Sequence, residues 1–189
     1  DVEKALSAYL ERPELTAEEE KVVATHESGH AVCALFSEHS PPIDRISIRG
    51  DLAGALGFVQ YADPAHRYVT TRGQLLDMIT VLMGGREAEA LLLDDLSIGS
   101  GHDLERATLI ARALVEDFGM GDSSGVKRFA RDIHSSDASL HGVEKAVPAI
   151  LDAQRGKAQT IPRGQRAVLE ALRDLLLEKK GLDRGAFAE

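Results

Sequence analysis

Apolar residues recur at helical spacing along most of this chain and alternate at strand spacing over only two short stretches. Glu18 to Phe36 holds no proline and reads as part of one helix, from about 17 to 38. On it Val22, Val23, His26, His30 and Ala34 share a broad apolar face with Cys33 beside it. Thr16 followed by Glu19 forms a capping box at its start, and Ser40-Pro41-Pro42 stops it. Ile43, Ile46 and Ile48, interleaved with Ser47 and Arg49, suggest a strand, and Ala55 to Tyr61 suggests a second after a turn at 49–54. Thr70 or Thr71 caps a helix from about 72 to 93 with Leu75, Leu76, Ile79, Leu82 and Met83 inward. Gly84-Gly85 within it calls for close packing or a bend. A helix over 103–118 buries Leu104, Ala107, Ile110, Ala111, Leu114 and Val115, and glycines at 119 and 121 close it. Residues 121–137 read as a polar loop. Ser139 to about Lys157 is helical in pattern, and Pro148 should kink or split it. Thr160-Ile161-Pro162 opens a last helix with Leu169, Leu172, Leu175 and Leu176 as its stripe and Gly181 at its end. The expected fold is α+β and predominantly helical: a long first helix, a small β-hairpin or sheet, and a C-terminal helical hairpin that packs on the core or on a neighbouring subunit.

Composition narrows this without changing it. With 189 residues, 43% apolar and 28% charged, the chain can bury a core. It is expected to form one domain over 1–189: a lead-in at 1–15, a core at 16–121 and a C-terminal helical part at 138–181. Aromatics are only 4%, so the core is built from Leu, Ala, Val and Ile. A formal charge of −9 argues against nonspecific binding to nucleic acid. One cysteine, Cys33, excludes an internal disulfide framework and suits a reducing compartment. No apolar run reaches membrane-spanning length. The chain opens at Asp1 rather than Met and is expected to be cut from something longer.

The candidate chemistry sits on the first helix, in Thr25-His26-Glu27-Ser28-Gly29-His30-Ala31. Residues four apart share a helix face, so His26 and His30 can turn two imidazoles to one ion, and imidazole is a good zinc ligand. Glu27, one step round, can reach a water held there and accept its proton. Two ligands and one general base are the arrangement of a metalloprotease. The bland alternative is a pair of half-buried structural histidines. Both point inward, however, where each polar ring needs a partner, and one ion partners both. Gly29 leaves the helix bare for a close neighbour.

A zinc protease needs a third protein ligand. By chemistry the candidates are His66, Glu87, Glu89, Asp94, Asp95, His102, Asp103 and Glu105. His102 and Asp103 stand out because Ile98-Gly99-Ser100-Gly101 delivers both to a turn-to-helix junction. Residue chemistry leaves both open, since Asp103 also serves as a helix-capping carboxylate. Glu89 could pair with Arg86, support the site from behind, or face solvent. An exposed strand edge beside the metal could take an extended peptide as a further strand, or could belong to an ordinary supporting hairpin.

With both stretches in view, the chain resembles the peptidase domain of the FtsH family, the membrane-anchored ATP-dependent zinc proteases. The likeness runs through HESGHA, RISIRG, ALGFVQ, LMGGREAEALL and IGSGHDLERATLIARALVEDFGM, strongly from about 20 to 121 and by helical pattern beyond. The resemblance implies a zincin-like helix with one Zn2+ per chain, His26, His30 and Asp103 as its ligands, and Glu27 as catalytic base. It also implies a substrate cleft lined by the strand at 55–60, with Ala55, Leu56, Gly57, Phe58 and, from the turn, His102 as candidates. The family usually has Asn where His102 stands and Ala where Gly101 stands. The loop Asp51 to Gly54 is longer than usual, Ile48 replaces a customary Pro, and the C-terminal region departs further.

The family further implies an upstream AAA ATPase module, membrane-spanning segments and a hexamer enclosing the cutting sites, with protein as substrate. No phosphate-binding Gly-x-x-x-x-Gly-Lys-Ser/Thr loop occurs here, so ATP would act only through an ATPase domain absent from this chain. The implied location is a membrane-anchored parent with this domain, itself soluble, in a reducing compartment: cytoplasm, or mitochondrial or chloroplast interior. The leading expectation is a zinc endopeptidase acting on unfolded or extended chains. The alternatives are a catalytically idle assembly or regulatory module that keeps the metal site, and an amidase for small substrates.

Overall fold

The computed structural model describes residues 15–49, 55–62, 69–121 and 137–187. The expected 1–15 lead-in (all but its last residue), the turn over 50–54, His66 and nearly all of the 121–137 loop lie outside the described residues.

Helix α1, Ala17–Leu35, starts where expected. The Thr16 hydroxyl accepts from the Glu19 amide, and the Glu19 carboxylate accepts from the Thr16 amide. Its burial is broader than a one-sided face, because every residue from Ala24 to Ala34 is buried. Small side chains allow this: Ala24, Ser28, Gly29, Ala31, Cys33 and Ala34 let elements approach from all sides. Helix α2, Arg72–Leu92, carries its own capping box between Thr71 and Gln74. The two helices cross at bare backbone. A Cβ on Gly29 would run into the Gly84 carbonyl and the Ala88 methyl, and one on Gly84 would lie 2.6 Å from the Gly29 carbonyl oxygen and 2.8 Å from Cys33 Sγ. The glycine pair serves close packing; α2 continues unbroken through it.

Strands β1, Ile43–Ser47, and β2, Phe58–Tyr61, pair antiparallel, with Ile46 opposite Val59 and Ser47 opposite Phe58. The expected second strand is therefore shortened at its start. A third strand, β3, Gly181–Asp183, joins the other edge of β1 and makes the order β2-β1-β3. Three residues with one buried side chain, Leu182, carry no readable periodicity, so the sequence pattern does not reveal it. Lys180, not Gly181, takes the left-handed cap (φ 61°) that turns the chain into β3.

Ile98–Ser100 forms a single 3-10 turn leading into α3, Gly101–Glu116. Ala107, Ala111, Leu114 and Val115 are buried as expected, whereas Leu104 is exposed: it lies in the first turn, before the helix reaches the core. The C-terminal part also differs from expectation. Asp137–Gly164 is one helix, α4, through both Pro148 and Pro162, and α5 runs from Arg166 to Lys179. Pro148 removes a hydrogen bond, but its ring is on the solvent side. Val143, Ala146, Val147 and Ile150 stay buried around it and hold the helix. Helix α4 packs on α2 and α3, and α5 packs on α1 through Leu169, Leu172 and Leu176, with Leu175 outward. No helix among the described residues is long and apolar enough to cross a membrane.

Candidate metal centre

His26 and His30 lie one helical turn apart on α1, and the packing of α1 on α2 decides how their rings point. The His26 Nδ1 lies 2.5 Å from Glu89 Oε1 and the His30 Nδ1 lies 2.7 Å from the Val81 carbonyl oxygen. A carboxylate and a carbonyl only accept, so each Nδ1 carries a hydrogen and, in the neutral ring, each Nε2 carries a lone pair. Those two Nε2 atoms face one another at 3.0 Å, and Asp103 Oδ2 stands 3.3 Å from both. The rings meet edge to face. Gly85 makes the room, since a Cβ there would lie 2.6 Å from His26 Cε1 and Nε2.

With both rings neutral, three lone-pair atoms thus face one point. A point equidistant from atoms so spaced lies about 1.9 Å from each, close to the ~2.0–2.2 Å at which imidazole or carboxylate holds zinc. The donor set fits that ion by distance, by ligand type and by its need for positive charge. The electrostatics of the site express the same need. Burial alone lowers the His26 pKa, yet the hydrogen bonds to Asp103 and Glu89, with the charges of Glu27 and Glu89, outweigh it and raise it to about 9. Burial raises Asp103, and the two histidines more than reverse this and hold it far below the carboxylate range.

Glu89 is almost wholly buried. Its Oε2 accepts from the Ser97 amide at 2.6 Å and its Oε1 from the Ser97 hydroxyl at 3.0 Å. Ser97 also accepts from the Gly99 amide and caps the 3-10 turn that delivers Asp103. One carboxylate therefore ties His26 to the loop that presents the third donor. The sequence pattern leaves Glu89 undecided among pairing, support and solvent, and gives no signal for Ser97 beyond its being a capping residue type.

Glu27 is buried beside the histidines. Burial pushes its carboxyl above the usual carboxylate range; His30 and His26 pull it down, and Asp103 pushes it up further. Gly57, just before β2, lies against it. Ala55 and Leu56 are exposed at the approach to that strand, and Phe58 lies beneath the Arg45 guanidinium, 6.0 Å from ring centre. His102 is exposed, 3.7 Å from Glu105, and outside the converging trio. Glu87 is engaged by Arg86, Arg155 and Gln159, while Asp94 and Asp95 are exposed. Burial pushes the Cys33 thiol up to about 12, with the Glu87 charge adding to it, so it is no nucleophile.

The model of peptidase family M41 matches residues 13–189. The ATP-dependent zinc metalloprotease FtsH of Syntrophobacter fumaroxidans is 32% identical over 183 residues, covering 89% of this chain and 28% of that protein. FtsH 1 of Methylacidiphilum infernorum is 33% identical over 204 residues (99% and 32%), and FtsH of Rhodothermus marinus 36% over 178 (89% and 25%). The chain spans about a quarter to a third of the length of these curated relatives.

Proposed function

The chain belongs to peptidase family M41, and from that premise we propose that its zinc endopeptidase chemistry rests on His26, His30 and Asp103 as ligands and Glu27 as general base. Family and donor set together make it a zinc-dependent metalloendopeptidase domain. The observation that carries the reading is the convergence of two imidazole nitrogens and a carboxylate oxygen from α1 and the start of α3. Zinc held there supplies Lewis acidity, polarising a peptide carbonyl and making water a better nucleophile.

The chain's residues do the rest. Glu89 and the Val81 carbonyl fix both rings so that Nε2 faces the centre. Glu27, its carboxyl pKa raised by burial, accepts a proton from the attacking water and returns it to the leaving amine. The edge at β2, approached over Ala55 and Leu56, receives the substrate backbone as an extended segment. Such recognition reads main chain, which supports unfolded or extended protein as substrate.

The relatives are named as ATP-dependent and are three to four times longer, which supports a wider proposal. This domain works as the cutting part of a membrane-anchored hexamer whose AAA ATPase module feeds it protein, within a reducing compartment. Zinc content and cleavage of unfolded casein, compared between the native chain and Glu27→Gln, test the core reading. Both bind one zinc and only the native chain cleaves. Equal cleavage by both would overturn the role of Glu27, and zinc without cleavage in either would favour an idle module.

A further inference from the structure

We infer that Gly57 is a positioning residue for Glu27: its missing side chain reserves the space the carboxylate occupies. The inference rests on reading Glu27 as the base. A Cβ built on Gly57 would lie 2.8 Å from Glu27 Cγ, 2.8 Å from Glu27 Oε1 and 2.8 Å from Val23 Cγ1. Backbone conformation gives no reason for glycine at this position, because among the described glycines only Gly119 has positive φ. What position 57 requires is the absence of a methyl group.

The neighbours decide what an added methyl would move. Val23 is β-branched on a helix, with one strongly preferred rotamer, and packs against the core. The α1 backbone at this level is enclosed on all sides. The residue after Gly57 begins the ladder with β1, which holds the strand from Phe58 on; Gly57 itself lies outside the ladder, and Val23 Cγ1 blocks a small shift of an added methyl away from Glu27. The softest element is the Glu27 side chain, with three rotatable bonds. Alanine at 57 therefore displaces the carboxylate and leaves the fold and the three donor atoms in place. Gly29 is the opposite case: a methyl there meets the Gly84 backbone and Ala88, neither of which can swing aside.

The test uses the full chain and the variants G57A, V23A and V23A/G57A. G57A is expected to keep one zinc per chain and the native absorption spectrum with cobalt in place of zinc, with only a small fall in Tm from the Val23 contact. Its kcat should fall ~10- to 100-fold at little-changed KM, the scale of an ångström-level misplacement of a reacting group. V23A alone is close to native. In V23A/G57A the new methyl takes the vacated Cγ1 space, and most of kcat returns. A second readout needs no catalysis. In metal-free protein labelled with 13C at glutamate carboxyls, the Glu27 signal, identified by its absence in E27Q, shifts in G57A and returns in V23A/G57A. Native kcat in G57A, loss of zinc or Tm in step with activity, or no recovery on V23A would overturn the inference. A native chain that cleaves nothing would instead overturn the proposed function, and the carboxyl signal would still decide the place of Glu27.

Discussion

Glu89 on α2 holds the Nδ1 of His26 on α1 at 2.5 Å, 63 positions away in sequence. The same carboxylate takes two hydrogen bonds from Ser97, just ahead of the turn that presents Asp103. Orientation of one donor and placement of another thus share a single buried group.

Glu89→Ala should weaken zinc binding ~10- to 100-fold, the usual scale for losing a partner behind a ligating histidine. Ser97→Ala should cost less, because its backbone amide still donates to Oε2. Competition with a chromogenic chelator measures both. Equal losses, or none for Glu89→Ala, would show that His26 needs no such support.

Asp103→Ala should lose both zinc and cleavage, since its Oδ2 is 3.3 Å from both histidine nitrogens. His102→Ala should lose far less of either, its ring being in solvent beside Glu105. Metal content after dialysis decides; comparable loss in the two variants would overturn the choice of third ligand.

Glu87 carries a pH-dependent part of the stability. Burial raises its pKa, but hydrogen bonds from Arg155 and Gln159 and the charges of Arg155 and Arg86 outweigh it and leave it below the usual 4.5. A lowered folded pKa stabilises above the unfolded value and is lost as pH falls through the folded one. With Arg155 half exposed, Glu87→Gln should cost about 1 kcal/mol at pH 7. The gap in Tm between native and variant should close as pH is lowered from about 4.5. A gap that stays constant into that range would refute the linkage.

Gly29→Ala should destabilise by about 3 kcal/mol, the upper end for overpacking, because the obstructing atoms belong to the Gly84 backbone and Ala88. For a chain of this size that is roughly a 6–12 °C drop in Tm. Calorimetry of the metal-free protein checks it, and an unchanged Tm would mean that α1 and α2 can part without cost.

The capped helices and the candidate chemistry were local matters, and the sequence alone determined them. Thr16 and Thr71 cap their helices, the i,i+4 spacing puts His26 and His30 on one face, and Gly29 with Gly84-Gly85 announces a close crossing. Residue chemistry left His102 and Asp103 level, and only the resemblance to a family separated them. Pro148 misled because its local cost is real, but burial along α2 and α3 outweighs it. Tertiary structure alone decided that Asp103 faces the pair while His102 faces solvent, that Glu89 stands behind His26, that Gly57 abuts Glu27, and that a three-residue β3 closes the sheet. Each of these depends on where two distant segments meet. That is fixed by the summed packing of α1 against α2, α5 and the sheet, which no window of neighbouring residues contains.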